Sequence, residues 1–146
     1  MRHPPIALAP ALAACLLAAC AHAPRAQGPT PLRVQLPADA PSGTSGRLLV
    51  FAEPAADALA RAKDGVVAEV DASPFGGKGA SAAAMELARI APGQVLPVDG
   101  DSLAWPQPLS RLPAGDYYVQ AVLDVARNNN YGGRGADDLS STPQRI

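Results

Sequence analysis

Leu112-Pro113-Ala114-Gly115-Asp116-Tyr117-Tyr118-Val119-Gln120-Ala121-Val122-Leu123-Asp124-Val125 carries the clearest fold signal in this chain. A Pro/Gly turn launches it. Tyr117, Val119, Ala121, Leu123 and Val125 then share one face of a strand, and Tyr118, Gln120 and Asp124 point the other way. Downstream, residues 126–138 (ARNNNYGGRGADD) form a polar loop, and residues 139–146 begin a last strand. Upstream, residues 103–112 hold Trp105, Pro106 and Pro108, an irregular apolar crossing. Residues 94–98 are a short strand ending in the turn Val98-Asp99-Gly100-Asp101.

Further upstream the same grammar repeats. Leu32, Val34 and Leu36 alternate with Arg33 and Gln35, the mark of a half-buried strand. Residues 37–46 (PADAPSGTSG) are turn material, and the apolar run at 47–52 suits a central strand buried on both faces. Residues 54–64 read as a short helix, with Pro54 at its start and Gly65 ending it. Its Asp57, Arg61 and Asp64 fall on one solvated side. Residues 65–70 read as another strand, and 73–80 as a Gly/Pro loop. Residues 82–90 (AAAMELARI) read two ways: helix propensity is high, and neither face of a strand would be clean, so periodicity alone favours a helix. Six or seven short strands between Pro/Gly turns predict a mainly β domain, a single antiparallel β-sandwich with one short helix.

The N-terminus has a different character. Arg2 precedes an uncharged run at 6–19, which spans ~21 Å as a helix and so falls short of the ~30 Å hydrocarbon core. Its length, charge and small-residue end fit a secretory signal. Leu17-Ala18-Ala19-Cys20 resembles the lipobox of bacterial lipoproteins, which implies lipidation of Cys20 as the first mature residue. Leu12-Ala13-Ala14-Cys15 matches as well but would leave a much shorter apolar region. Ordinary cleavage after Ala21 or Ala23, releasing a soluble periplasmic or secreted protein, is the alternative. Ala21 after the cysteine implies the outer membrane rather than the inner one. Three segments follow: signal peptide 1–19, lipidated Cys20 with a Pro-rich tether to residue 31, and a β-domain over 32–146. The expected partners are the membrane, through the anchor, and a hydrolase domain or envelope protein.

Composition excludes several functions. The chain has 12 basic and 13 acidic residues, a formal net charge of −1, and no Lys/Arg cluster, which argues against nucleic acid. Cys20 would be the only cysteine after cleavage, so neither a disulfide framework nor a thiolate zinc site is expected. The only histidines are His3 and His22, both outside the β-domain. A Ser-His-Asp centre and a His-ligated zinc are therefore excluded there, and no cofactor or catalytic residue is expected. Gly43-Thr44-Ser45-Gly46 sits in turn material and lacks the spacer of a nucleophile elbow. Gly76-Gly77-Lys78-Gly79 lacks the Ser/Thr of a phosphate loop.

Two groups of side chains stay open. Asp99 and Asp101 flank Gly100, and Asp124, Asn128, Asn130, Asp137 and Asp138 surround the Asn/Gly loop. Oxygen donors of this kind can hold Ca²⁺, although the spacing is not that of an EF-hand and plain turn chemistry accounts for most of it. Trp105 and Tyr131 could form a stacking platform for a ligand, but a lone Trp beside two prolines more often plugs the core.

The Gly115-Asp116-Tyr117 entry resembles the tyrosine corner of Ig-like and fibronectin-like sandwiches, in which a tyrosine near a strand start bonds back to the preceding loop. Tyr117 filling core volume is the equal alternative. The run LARIAPGQVLPVDGDSLAWPQPLSRLPAGDYYVQAVLDV followed by YGGRGADDLSS is similar to the N-terminal Ig-like domain of exported esterase-like proteins, where a small β-domain precedes an α/β-hydrolase domain. That resemblance covers residues 33–146. It implies an Ig-like sandwich and a strand, not a helix, before Ala91-Pro92-Gly93. The chain stops at Ile146, where the family's last strand would be running, and residues 140–146 read as short and unpartnered. Two functions follow: a non-catalytic envelope binding or accessory module, or the front end of an esterase-like enzyme, inactive without its hydrolase part.

Overall fold

Strand β2, Thr44–Pro54, is the axis of the protein. In the computed structural model, which describes residues 32–70, 79–129 and 134–146, it pairs antiparallel with β3 (Ser81–Ile90) on one side and β5 (Tyr117–Asp124) on the other. The apolar run at 47–52 makes this position favourable. Leu48, Val50 and Ala52 are buried on one face and Phe51 on the other, so neither side of the strand needs water. The strand also begins earlier than the turn reading of 37–46 implied, because Thr44 already pairs with Ile90.

β6 (Leu139–Ser140) and β7 (Gln144–Arg145) share the outer edge of β5. Ser141 N–H bonds the Ala121 carbonyl between them (2.9 Å), and Tyr117 and Ile146 exchange backbone hydrogen bonds at the end. Residues 139–146 are thus partnered along β5, correcting the reading of 140–146 as unpartnered. The short β1 (Leu32–Gln35) and β4 (Val95–Val98) form a separate antiparallel pair, with Leu32 opposite Val98. Leu36, Leu48, Val50, Ile90 and Leu123 fill the space between the layers, with Val34, Leu96, Val119 and Ala121 packed against them. Each such Leu or Val contributes about 1.5–3 kcal/mol on burial. The order β3-β2-β5-β6 faces the β1-β4 pair, a sandwich-like arrangement of two antiparallel sheets. The mainly β, antiparallel reading with one short helix holds.

Residues 82–90 lie within β3 despite their helix propensity. A helix would have left the edge of β2 bare, whereas the strand satisfies it and buries Ala83. The outer edge of β3 is partly closed as well: Ala82 exchanges two backbone bonds with Trp105 (2.8 and 2.9 Å), and Ala84 N–H reaches the Ser102 carbonyl (3.0 Å). The register shifts between Thr44 and Gly46. A Cβ on Gly46 would stand 2.6 Å from the Asp124 carbonyl oxygen, so only glycine fits there.

Four expectations are corrected. The helix α1 is Ala55–Ala60 only, Pro54 being its N-cap and Ala55 and Ala58 its buried residues. Its Arg61 neighbour is not merely solvated: it pairs with the buried Glu53 carboxylate. Residues 65–70 are not a strand. Val66 makes only an isolated bridge to Lys63, and buried Val70 packs on Phe51 and Val122 against the outer face of the large sheet. Trp105 is 58% exposed and serves through its backbone, so it is no core plug.

Candidate functional site

Among the described residues, one end of the sandwich stays open between its layers. The cleft there, about 670 Å³, has walls from the β1 start (Leu32), the β4 end (Val98), the crossing (Leu109, Leu112) and β5 (Tyr117, Val119), with Ala52 and Ile146 completing them. These apolar side chains are mostly half-buried rather than sealed, in contrast to Leu48 and Leu123 deeper in. Its size falls within the ~300–1,000 Å³ of small-molecule sites. Asp99, Asp101, Pro113, Ala114 and Gly115 stand exposed along it.

Local hydrogen bonds hold this cleft open in one shape. Asp101 accepts from both the Ser110 backbone N–H (3.0 Å) and its hydroxyl (2.7 Å). Leu109 N–H bonds the Gly100 carbonyl (3.0 Å), docking the 3-10 turn Leu109–Arg111 onto the Asp99-Gly100-Asp101 turn. Asp99 Oδ1 accepts the Asp101 N–H (3.0 Å). The two Ser110 bonds, with Arg111 nearby, hold the Asp101 carboxyl below its ordinary value, so it is ionised at neutral pH. On the opposite wall the Tyr117 hydroxyl donates to the Pro113 carbonyl (2.9 Å). This is the bond of a tyrosine corner: the ring lines the cleft and fixes the 113–117 turn together.

No family model matches the chain, and neither a curated protein nor a solved structure is significantly similar to it.

The other sequence candidates distribute as follows. Cys20, Asn130 and Tyr131 lie outside the described residues, as do residues 76–78 of the Gly-rich stretch. Asp124 is fully buried, and its two carboxylate oxygens accept the Asn128 and Asn129 backbone N–H groups (3.0 and 2.8 Å), the geometry of a loop cap. Asp138 accepts the Gly135 N–H (2.7 Å), while Asp137 and Asn128 are exposed. Among the described residues no three His, Cys, Asp or Glu side chains gather for a metal. Trp105 is exposed, as a stacking residue needs, but it does not line the cleft. Ser45 spends its hydroxyl on structure, accepting the Arg89 N–H (3.0 Å).

Sequence reasoning missed the polar side of β5. Gln120 faces away from the main core yet is 2% exposed. Its Oε1 accepts from Val70 N–H (2.8 Å) and Arg134 (2.6 Å), and its Nε2 donates to the Ser141 carbonyl (2.6 Å). Arg134 continues to Glu69 (2.8 Å). The network ties the 65–70 crossing, the polar loop and the C-terminal stretch to one strand. Nothing in local periodicity announces partners 14 to 50 residues away. The cleft was equally hidden, although the apolar content of 103–112 was its one visible signal.

Proposed function

We propose that this protein is a non-catalytic binding module of the cell envelope, anchored through lipidated Cys20 at the outer membrane, and that the interlayer cleft is its ligand seat. The preorganised cleft carries the reading: half-buried apolar walls, fixed by the Asp101–Ser110 and Tyr117–Pro113 bonds, remain available to a guest. The absence of histidine from residues 32–146 supports a binding role over nucleophilic hydrolysis. The Pro-rich stretch before Leu32 suits a spacer between membrane and domain.

The neutral dye Nile red tests the cleft. The full chain should take up one dye with a blue-shifted, enhanced emission, and Ala114→Trp, which plugs the mouth from an exposed loop position, should abolish it. No uptake, or uptake indifferent to Ala114→Trp, overturns the reading. Mass spectrometry of the mature N-terminus tests the anchor, the expected product being an acylated Cys20; an unmodified terminus at residue 22 or 24 contradicts it.

The strand order and the tyrosine corner favour one second reading, the N-terminal module of an exported esterase-like hydrolase. Sequencing the gene through the Ile146 codon decides it: a frame resuming into Gly-x-Ser-x-Gly supports the enzyme, and a stop codon removes it.

A further inference from the structure

We propose that the cleft selects an amphipathic organic cation, its apolar body between the layers and its protonated amine at Asp99 and Asp101; this rests on the cleft being a ligand seat. The charges lining the cleft are of one sign. Among the described residues, Asp99 and Asp101 are its only ionic side chains, and no Lys, Arg or His lines it. The remaining titratable lining group, the Tyr117 hydroxyl, already donates to Pro113. The surrounding charges do not reverse this sign. Arg111 acts on Asp101 from outside the lining, and Arg145 beside Ile146 is paired with Asp116.

The carboxylates are also built to receive a donor. Each oxygen of an ionised carboxylate has two lone-pair positions, so Asp101 can accept from Ser110 and still accept from an ammonium. Ser110 fixes the direction of that carboxylate before any ligand arrives. Two ordered carboxylates above an apolar wall meet an ammonium head and a hydrocarbon tail together. A sulfate or carboxylate head at the same depth would meet repulsion, and an alcohol only the wall. Two exposed unit charges near 4–6 Å favour the cation over the isosteric alcohol by about tenfold, with the preference shrinking as salt rises.

The experiment is displacement of Nile red from the full chain by three eight-carbon probes: octylammonium, octan-1-ol and octyl sulfate. Octylammonium should displace the dye at about a tenth of the octanol concentration, with octyl sulfate the weakest. Asp99→Asn, which keeps the Oδ1 acceptor for the Asp101 N–H, should cut that preference to about threefold while dye binding persists. Asp99→Asn/Asp101→Asn should remove it. Dye bound in the cleft but displaced equally by octylammonium and octanol, or a preference unchanged in Asp99→Asn, overturns the cation proposal and leaves the ligand seat standing. Failure of the dye to bind overturns both.

Discussion

Replacing Gln120 by alanine should cost far more than an exposed polar residue of a sheet ordinarily does. The side chain sits at 2% exposure and makes three hydrogen bonds. The largest loss is at Val70, itself 2% exposed, whose N–H would be left buried without an acceptor; that alone costs about 2 kcal/mol. Arg134 keeps Glu69 and the Val70 carbonyl, so its lost bond costs only about 0.5 kcal/mol. The Ser141 carbonyl is exposed enough to be rehydrated, for about another 0.5 kcal/mol. The sum is about 3 kcal/mol, or a fall of about 12 °C in Tm for a domain of this size. Gln120→Glu is the control. It keeps the acceptor for Val70 and Arg134, whose guanidinium pairs with the new charge, but turns a carboxylate oxygen toward the Ser141 carbonyl, and should cost about 1–2 kcal/mol, less than alanine. Urea unfolding followed by circular dichroism gives both values, and hydrogen exchange at the Val70 amide should accelerate in the alanine variant alone. An alanine variant within 1 kcal/mol of the parent, or a glutamate variant as damaged as the alanine one, refutes the assignment of Gln120 as the tie between these segments.

Three further outcomes follow from the geometry. Gly46→Ala places a Cβ 2.6 Å from the Asp124 carbonyl and should lose about 2–3 kcal/mol by urea unfolding, whereas at Gly43, where nothing stands within 4 Å, the same change should cost only about 1 kcal/mol through its positive φ. Tyr117→Phe removes the hydroxyl bond to Pro113 and should lower Tm by about 4 °C, an equivalent of about 1 kcal/mol. Glu86 is bonded by Arg127 and Arg47, which pull its carboxyl below the ordinary 4.5. A carboxyl lowered by folding adds stability above its unfolded value and loses it as pH falls through the folded one. Between pH 6 and 3, Glu86→Gln should therefore lose less Tm than the parent, and raised salt should narrow the difference.

Where the pattern was local, the sequence was a sufficient guide. Alternation in 117–125 placed Val119, Ala121 and Leu123 toward the core, and the apolar run at 47–52 placed β2 at the centre of the sheet. Pro54 marked the start of α1 correctly. The end of that helix was overextended because Ala62 and Lys63 have good helix propensity, and only the Asp64-Gly65 turn with positive φ shows where the backbone turns away. Residues 65–70 had a strand's composition but pair with no strand, lying instead on the outer face of the sheet through Val70, and a strand requires a partner that composition cannot supply. Gln120 read only as pointing away from the apolar face, because its burial depends on partners far away in sequence. The cleft was the least legible feature, being assembled from Leu32, Val98, Leu109, Tyr117 and Ile146 across the whole domain. The carboxylates at its mouth were visible as a turn, but their position beside an apolar wall was not.

A two-dimensional ¹⁵N–¹H NMR titration of the full chain with Nile red shows directly whether a ligand seats between the layers. A ligand seated between the layers should shift the amides of Val98, Asp101, Leu109, Tyr117 and Val119 and leave those of Asn128, Asn129 and Gly135 at the polar loop unmoved. Shifts confined to the exposed Leu103 and Trp105, or no shifts at the dye concentration that saturates fluorescence, would contradict that seating.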